Sequence, residues 1–291
     1  MPLNSADEFL VVSSNKIGRV STTGSDPEFF DIEIRLQEVK VVNNSNDKPE
    51  AIIGSGFYGK PSAAILNLEG QCMWRYDGGV SSMGRAAIIE DSDIRYVIVN
   101  KRREGLLFFD YESGEIIRKG DPIDVKDWAD FTGDNHQEAL LSPSECNYTV
   151  VNGSGKEVAS LSVSSDYWYR PIVIQFGHPY LVMSAGSVLD VYDSEMKQVK
   201  RYDAQGASPL HVVAATYVGT GPDAPFVAIY KGWGRWLRSV LYVFSNDGTL
   251  VYKEILDDSY NSLTPLEGND GTAFLLGGRN EIFKYSFQHR E

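Results

Sequence analysis

Cysteine is nearly missing from this chain. Cys72 and Cys146 are the only two in 291 residues, too few for a disulfide framework or a cysteine-based metal cluster. Histidine is almost as sparse: His136, His178, His211 and His289 lie far apart, at spacings that match neither a metal site nor a catalytic triad. No nucleophile elbow or phosphate-binding loop is present, so those chemistries have no visible seat. No apolar run approaches the ~18 residues needed to span a bilayer as a helix. The opening MPLNSADEFLVV has no basic region ahead of an apolar stretch, and no secretory signal is read there. A cytoplasmic protein is the default expectation, with an extracellular one left open if a leader has been trimmed. Positive charge is short as well, at 27 Lys and Arg against 40 Asp and Glu, a net −13. That balance argues against nucleic acid or an anionic membrane as the partner. Three N-glycosylation sequons, at Asn43, Asn147 and Asn152, are the number that chance produces in a chain rich in Asn, Ser and Thr.

What is present is a repeat. Short apolar runs begin at residues 9, 51, 96, 139, 180, 226 and 273, spaced 41 to 47 residues apart and averaging 44. Each is followed by a loop and a second strand-like run, such as AAILNL (63–68), LLFFDY (106–111) or VLYVFS (240–245). Many of these second runs end in a glycine turn, EGQ, ESGE, GSGK or NDGT, and a third run follows. No long window shows helical periodicity. Several strands per period of about 44 residues define a β-propeller, whose blades bury their faces only by stacking on one another. The expected fold is therefore all-β, a propeller of seven blades with three or four antiparallel strands each, six or eight blades being the alternatives. As one domain, 1–291, its approximate blades are 8–36, 37–79, 80–122, 123–166, 167–207, 208–258 and 259–291. The first and last lack a strand in the pattern.

One loop carries a recognisable motif. D-F-T-G-D-N-H-Q-E-A-L-L (130–141) resembles the FG-GAP or VCBS class of propeller repeat, approximately D-x-D-G-D-G-x-x-D-L, found in integrin α-chain heads and the propellers of rhamnogalacturonan lyases. The resemblance implies a calcium loop, with carboxylates from Asp130, Asp134 and Glu138, a hydroxyl from Thr132 and a backbone carbonyl from His136. Thr132 and Asn135 depart from the pattern, and the corresponding loops at 42–53 and 216–227 have lost most of its acids. The alternative is a polar hairpin whose Asp side chains bond backbone amides. One calcium ion, or no cofactor at all, is the resulting expectation.

Antiparallel blades send their second-to-third-strand loops to one end of the disc, with the links between blades. Those seven loops hold nine basic residues, Lys16, Lys60, Lys101, Arg102, Arg103, Lys231, Arg235, Arg238 and Arg279, against Glu104 and Glu145. Tyr58, Trp233 and Trp236 accompany them, and the fourth inter-blade link adds Trp168 and Arg170. Arginine beside aromatic rings suits carboxylates, phosphates and sugar faces, and equally a protein interface. Tyr58, Arg102, Arg103, Trp168, Arg170, Trp233, Arg235, Trp236 and Arg238 are thus the candidate ligand-binding residues. The expected function is non-catalytic binding of a protein partner or an anionic glycan through that end. The alternative is a carbohydrate-active enzyme, a polysaccharide lyase or hydrolase, using the same face.

Overall fold

The computed structural model describes residues 8–12, 16–21, 28–32, 34, 38–44, 48–55, 63–77, 85–92, 94–101, 105–164, 171–205, 210–219, 221, 223–232, 238–266, 273–278 and 281–287. Those residues form 26 strands in seven separate antiparallel sheets and contain no helix. The chain divides into two compact units, Met1–Leu161 and Ser162–Glu291. The fold is a seven-bladed β-propeller, four sheets lying in the first unit and three in the second.

Sheet one holds β1 (Glu8–Val12), β2 (Lys16–Ser21) and β3 (Glu28–Asp31). Sheet two holds β4 (Glu38–Asn43), β5 (Pro49–Ser55), β6 (Ala63–Leu66) and β7 (Cys72–Tyr76). Sheet three runs through β8 (Ala86–Asp91), β9 (Ile94–Lys101), β10 (Gly105–Asp110) and β11 (Ile116–Gly120). Sheet four contains β12 (Asp124–Ala129), β13 (Glu138–Ser144), β14 (Asn147–Val151) and β15 (Glu157–Ser162). The second unit continues with β16 (Ile172–Phe176), β17 (His178–Ala185), β18 (Val188–Tyr192) and β19 (Gln198–Asp203) in sheet five. Sheet six is β20 (Leu210–Tyr217), β21 (Phe226–Gly232), β22 (Ser239–Phe244) and β23 (Leu250–Ile255). Sheet seven is β24 (Ser262–Leu266), β25 (Ala273–Gly277) and β26 (Ile282–Ser286). Sheets one and seven have three strands among the described residues, and the other five have four, each paired in simple up-and-down order.

Burial within each sheet follows strand position. The second and third strands read as nearly continuous apolar runs because neighbouring sheets cover both faces, as β6, all four residues of which are buried, and β10 show. The fourth strands are outermost and mostly exposed, as in β11 and β15. This gradient explains why the second and third runs stand out in the sequence and the fourth ones do not.

The third-to-fourth-strand turns repeat one hydrogen-bond frame. Asn67, Asp110, Asn152, Asp193 and Ser245 each donate the backbone N–H to the carbonyl four or five residues on, and each accepts at its own carbonyl from Gly70, Gly114, Gly155, Met196 and Gly248 respectively. The four glycines have φ between 71° and 93°, which costs a residue without Cβ nothing. Met196 takes the same left-handed conformation at φ 62°, with its side chain buried as the compensating contact. Gly114 has a second constraint: a Cβ there would lie 2.6 Å from the Trp74 ring.

Candidate functional site

The 130–138 loop folds around its own acids. Asp130 Oδ1 accepts hydrogen bonds from the Gly133 N–H at 2.7 Å and the Asp134 N–H at 3.1 Å, and Oδ2 accepts from Asn135 N–H at 2.9 Å. Glu138 Oε2 accepts from Phe131 N–H at 2.7 Å and Thr132 N–H at 3.2 Å, and Oε1 from the Thr132 hydroxyl at 3.0 Å. Asp134 Oδ1 accepts from His136 N–H at 2.9 Å. Gly133 and Asn135 sit at φ 75° and 67°, so Asn135 replaces the second glycine of the repeat with the residue that best tolerates this conformation.

The carboxylates of Asp130, Asp134 and Glu138 offer oxygens within 4.8 Å of one another. Hard oxygens suit calcium, which takes six to eight of them. Here three carboxylates and a hydroxyl converge, while both oxygens of Asp130 and of Glu138 already accept bonds from the loop. The turn is therefore closed by its own amides whether or not a cation joins it. Burial pushes the Glu138 carboxyl up to about 7, against the opposing pull of the bonds it accepts from Thr132 and Phe131; the nearby Asp134 adds to the rise.

Of the residues expected to bind a ligand, Tyr58, Arg102, Arg103, Trp168, Arg170, Trp233, Arg235 and Trp236 lie outside the described residues. Arg238 is described and exposed. Three other described cations of the second-to-third-strand loops have partners. Lys16 lies 3.5 Å from Asp31, Lys101 Nζ donates to the Tyr76 hydroxyl at 3.0 Å, and Lys231 Nζ donates to Asn261 Oδ1 at 3.3 Å.

A groove that the sequence did not announce lies in the second unit. It has a volume of about 470 Å³ and is bounded by residues of sheets five and six, at the end where first-to-second and third-to-fourth-strand turns emerge. Phe176 and Tyr217 meet at a centroid distance of 4.7 Å and an angle of 33°, and Tyr180 meets Tyr217 at 6.0 Å and 63°. The three rings form a corner rather than a flat plate. Asp193, Glu195, His178, Lys200 and Asn246 stand around it. Its residues are spread over 70 positions, and no local motif joins them. The only advance signal was an aromatic either side of the one-residue turn at Gly177, in QFGHPY (175–180).

No family model matches the chain, and no curated protein matches it in sequence. Solved structures do share its fold. A chain of the crystal structure of BBS1N in complex with ARL6DN, soaked with mercury, aligns at a TM-score of 0.57 and 9% identity, over 96% of this chain and 86% of that one. The same complex soaked with lead aligns at 0.60 and 8% identity, over 96% and 87%. At such identities the likeness is one of fold.

Proposed function

We propose that this propeller is a non-catalytic scaffold that binds a protein partner through the end carrying its second-to-third-strand loops. The observation that carries the reading is the fold likeness over nearly the whole chain to a propeller structure solved as a protein complex, BBS1N with ARL6DN. It favours a protein over a glycan. The arginine and tryptophan content of 231–239, KGWGRWLRS, supports the same end, because Trp and Arg dominate interface hot spots. The kinship of the 130–141 loop with FG-GAP or VCBS repeats belongs to this proposal as the origin of the repeat.

The test is quantitative affinity purification with the native chain, a variant changing Trp233, Arg235, Trp236 and Arg238 to Ala, and a control changing Asn135 to Lys on the other end. A protein retained by the native chain and the control, and lost from the four-residue variant, is the expected result. Identical retention by all three overturns the assignment to that end. A calcium ion held by Asp130, Thr132, Asp134 and Glu138 is a separate proposal, supported by their convergence. A melting temperature unmoved by excess calcium and by chelator overturns it.

A further inference from the structure

We propose that the groove between sheets five and six binds an arginine-bearing extended segment of a protein partner, distinct from anything held at the loop end. This rests on the partner-binding reading only in taking a protein as the occupant. The floor is aromatic: Phe176 and Tyr180 are half-buried, and Tyr217 is held beneath them by the 3.3 Å contact of its hydroxyl with the Tyr202 hydroxyl. Phe176 and Tyr180 pack against the buried Tyr217 and are themselves only half-buried, which leaves part of each ring open for a planar cation to stack on. Guanidinium stacks on such faces and keeps its in-plane N–H groups directed outward, which ammonium does not.

The rim supplies the matching charge. Asp193 and Glu195 line the groove, and Asn246, also on the rim, lies 3.4 Å from Asp223 and next to Asp247. Against these four carboxylates stand Lys197 and Lys200. Lys200 donates to the Asn246 carbonyl at 2.5 Å, so its stem lines the groove while its charge offsets one of the four carboxylates. Lys197 pairs with Glu195 on the open surface, an exchangeable contact that an incoming arginine replaces at little cost. His178 is exposed on the same rim. The chain's net −13 adds long-range attraction for a basic segment. An anionic ligand meets the opposite field; Asp193 already accepts from the Glu195 and Lys197 N–H groups and Asp247 from the Thr249 N–H, so it is the charge of these groups, not a lack of partners, that draws a cation.

The probe is a fluorescein-labelled twelve-residue peptide with arginine at every third position in a Gly/Ser background, followed by fluorescence anisotropy. Counterparts carry lysine or citrulline at the same positions. The proteins are the native chain, Tyr180→Ala, Glu195→Lys and a distant charge control, Glu157→Lys on β15. We expect the arginine peptide to bind the native chain and Glu157→Lys alike, and to lose about tenfold or more in affinity on Tyr180→Ala and on Glu195→Lys. The lysine peptide binds more weakly than arginine, and the citrulline peptide shows no saturable binding. Glu195 is exposed, so its reversal leaves the fold intact even if Tyr180→Ala does not fold. Equal loss with Glu157→Lys reduces the effect to general attraction by an acidic surface and overturns the site, as does absent binding or binding indifferent to both groove variants. Because the loop-end residues are untouched here, retention of a partner in the purification above is unaffected by failure of this groove.

Discussion

Sheets two to four and sheets five to seven solve the same packing problem with different chemistry. In the first unit neighbouring sheets are clasped by charge and backbone. Arg95 on β9 donates to Glu90 of its own sheet at 2.6 Å and to Glu50 of sheet two, while lying 4.9 Å from the Tyr111 ring. Tyr111 in turn donates its hydroxyl to Glu50 at 2.9 Å. Glu90 reaches sheet four, accepting from Gln137 N–H at 3.0 Å, while its own N–H and C=O bond Gln137 O and Gly153 N. Lys40 on β4 reaches from sheet two to sheet four, lying 4.0 Å from the Trp128 ring and donating to Asp127 and to the Trp128 carbonyl on β12. The first unit adds Trp74 and Tyr76 against Phe109 at 5.6 and 4.9 Å, whereas at the seam of sheets five and six rings carry most of the contact. Tyr202 of sheet five stacks on Phe226 of sheet six at 4.4 Å and 3°, with Phe244 at 5.1 Å, and Tyr230 donates to the Ser187 carbonyl at 3.3 Å. Rings contribute by removing apolar area from water, which tolerates small displacements. A clasp of half-buried charges tolerates little, since any unpaired member is left desolvated. The ring-packed unit is also the one that holds an open aromatic groove.

The largest effect is expected where the ring packing is deepest. Tyr202→Ala removes a fully buried ring and should cost about 3–5 kcal/mol, read as a denaturant midpoint shift; Tyr202→Phe keeps the stack and should cost about 1 kcal/mol. If the two variants cost the same, the hydroxyl contact rather than the stack holds sheets five and six together. Arg95→Met should cost about 2–3 kcal/mol by leaving Glu50 and Glu90 without their cation. Adding Glu90→Gln to it should recover part of that loss, and a purely additive double variant would remove the charge clasp as the explanation.

A smaller effect, and one that depends on pH, belongs to Glu138. Its carboxyl is raised from the usual 4.5 to about 7 in the fold, so the native state holds a proton that the unfolded chain releases earlier. Its contribution is therefore intact below about pH 4.5 and falls as pH rises towards 7. Glu138→Gln should match the native chain near pH 4 and exceed it at pH 8 by about 1–3 kcal/mol in urea unfolding. A difference that does not change between those two pH values refutes the burial-driven shift.

Much of the architecture was legible because it rests on local signals. The spacing near 44 residues, the apolar runs at β5, β9, β13, β17 and β21, and the glycines at 70, 114, 155 and 248 all act through backbone conformation and short-range pattern. So does the 130–138 loop, whose acids bond amides no more than seven residues away. Met196 was not legible: nothing in its neighbourhood announces a left-handed methionine, which is held by the frame of the turn and by burial. Arg95 was equally silent, since its partners Glu50 and Tyr111 lie 45 and 16 residues away, on β5 and in the turn after β10.

The seven-fold repeat of strands, the acidic balance of the chain and the basic, aromatic character of one set of loops are all written in the amino-acid order. Each is a property of composition or of neighbours along the chain. That Phe176, Tyr180 and Tyr217 share a corner, that Asp193 and Glu195 stand at its rim, and that burial perturbs Glu138 emerge from packing alone. These depend on which sheets lie side by side and how much water each position keeps, and both are set only when strands distant in sequence have packed.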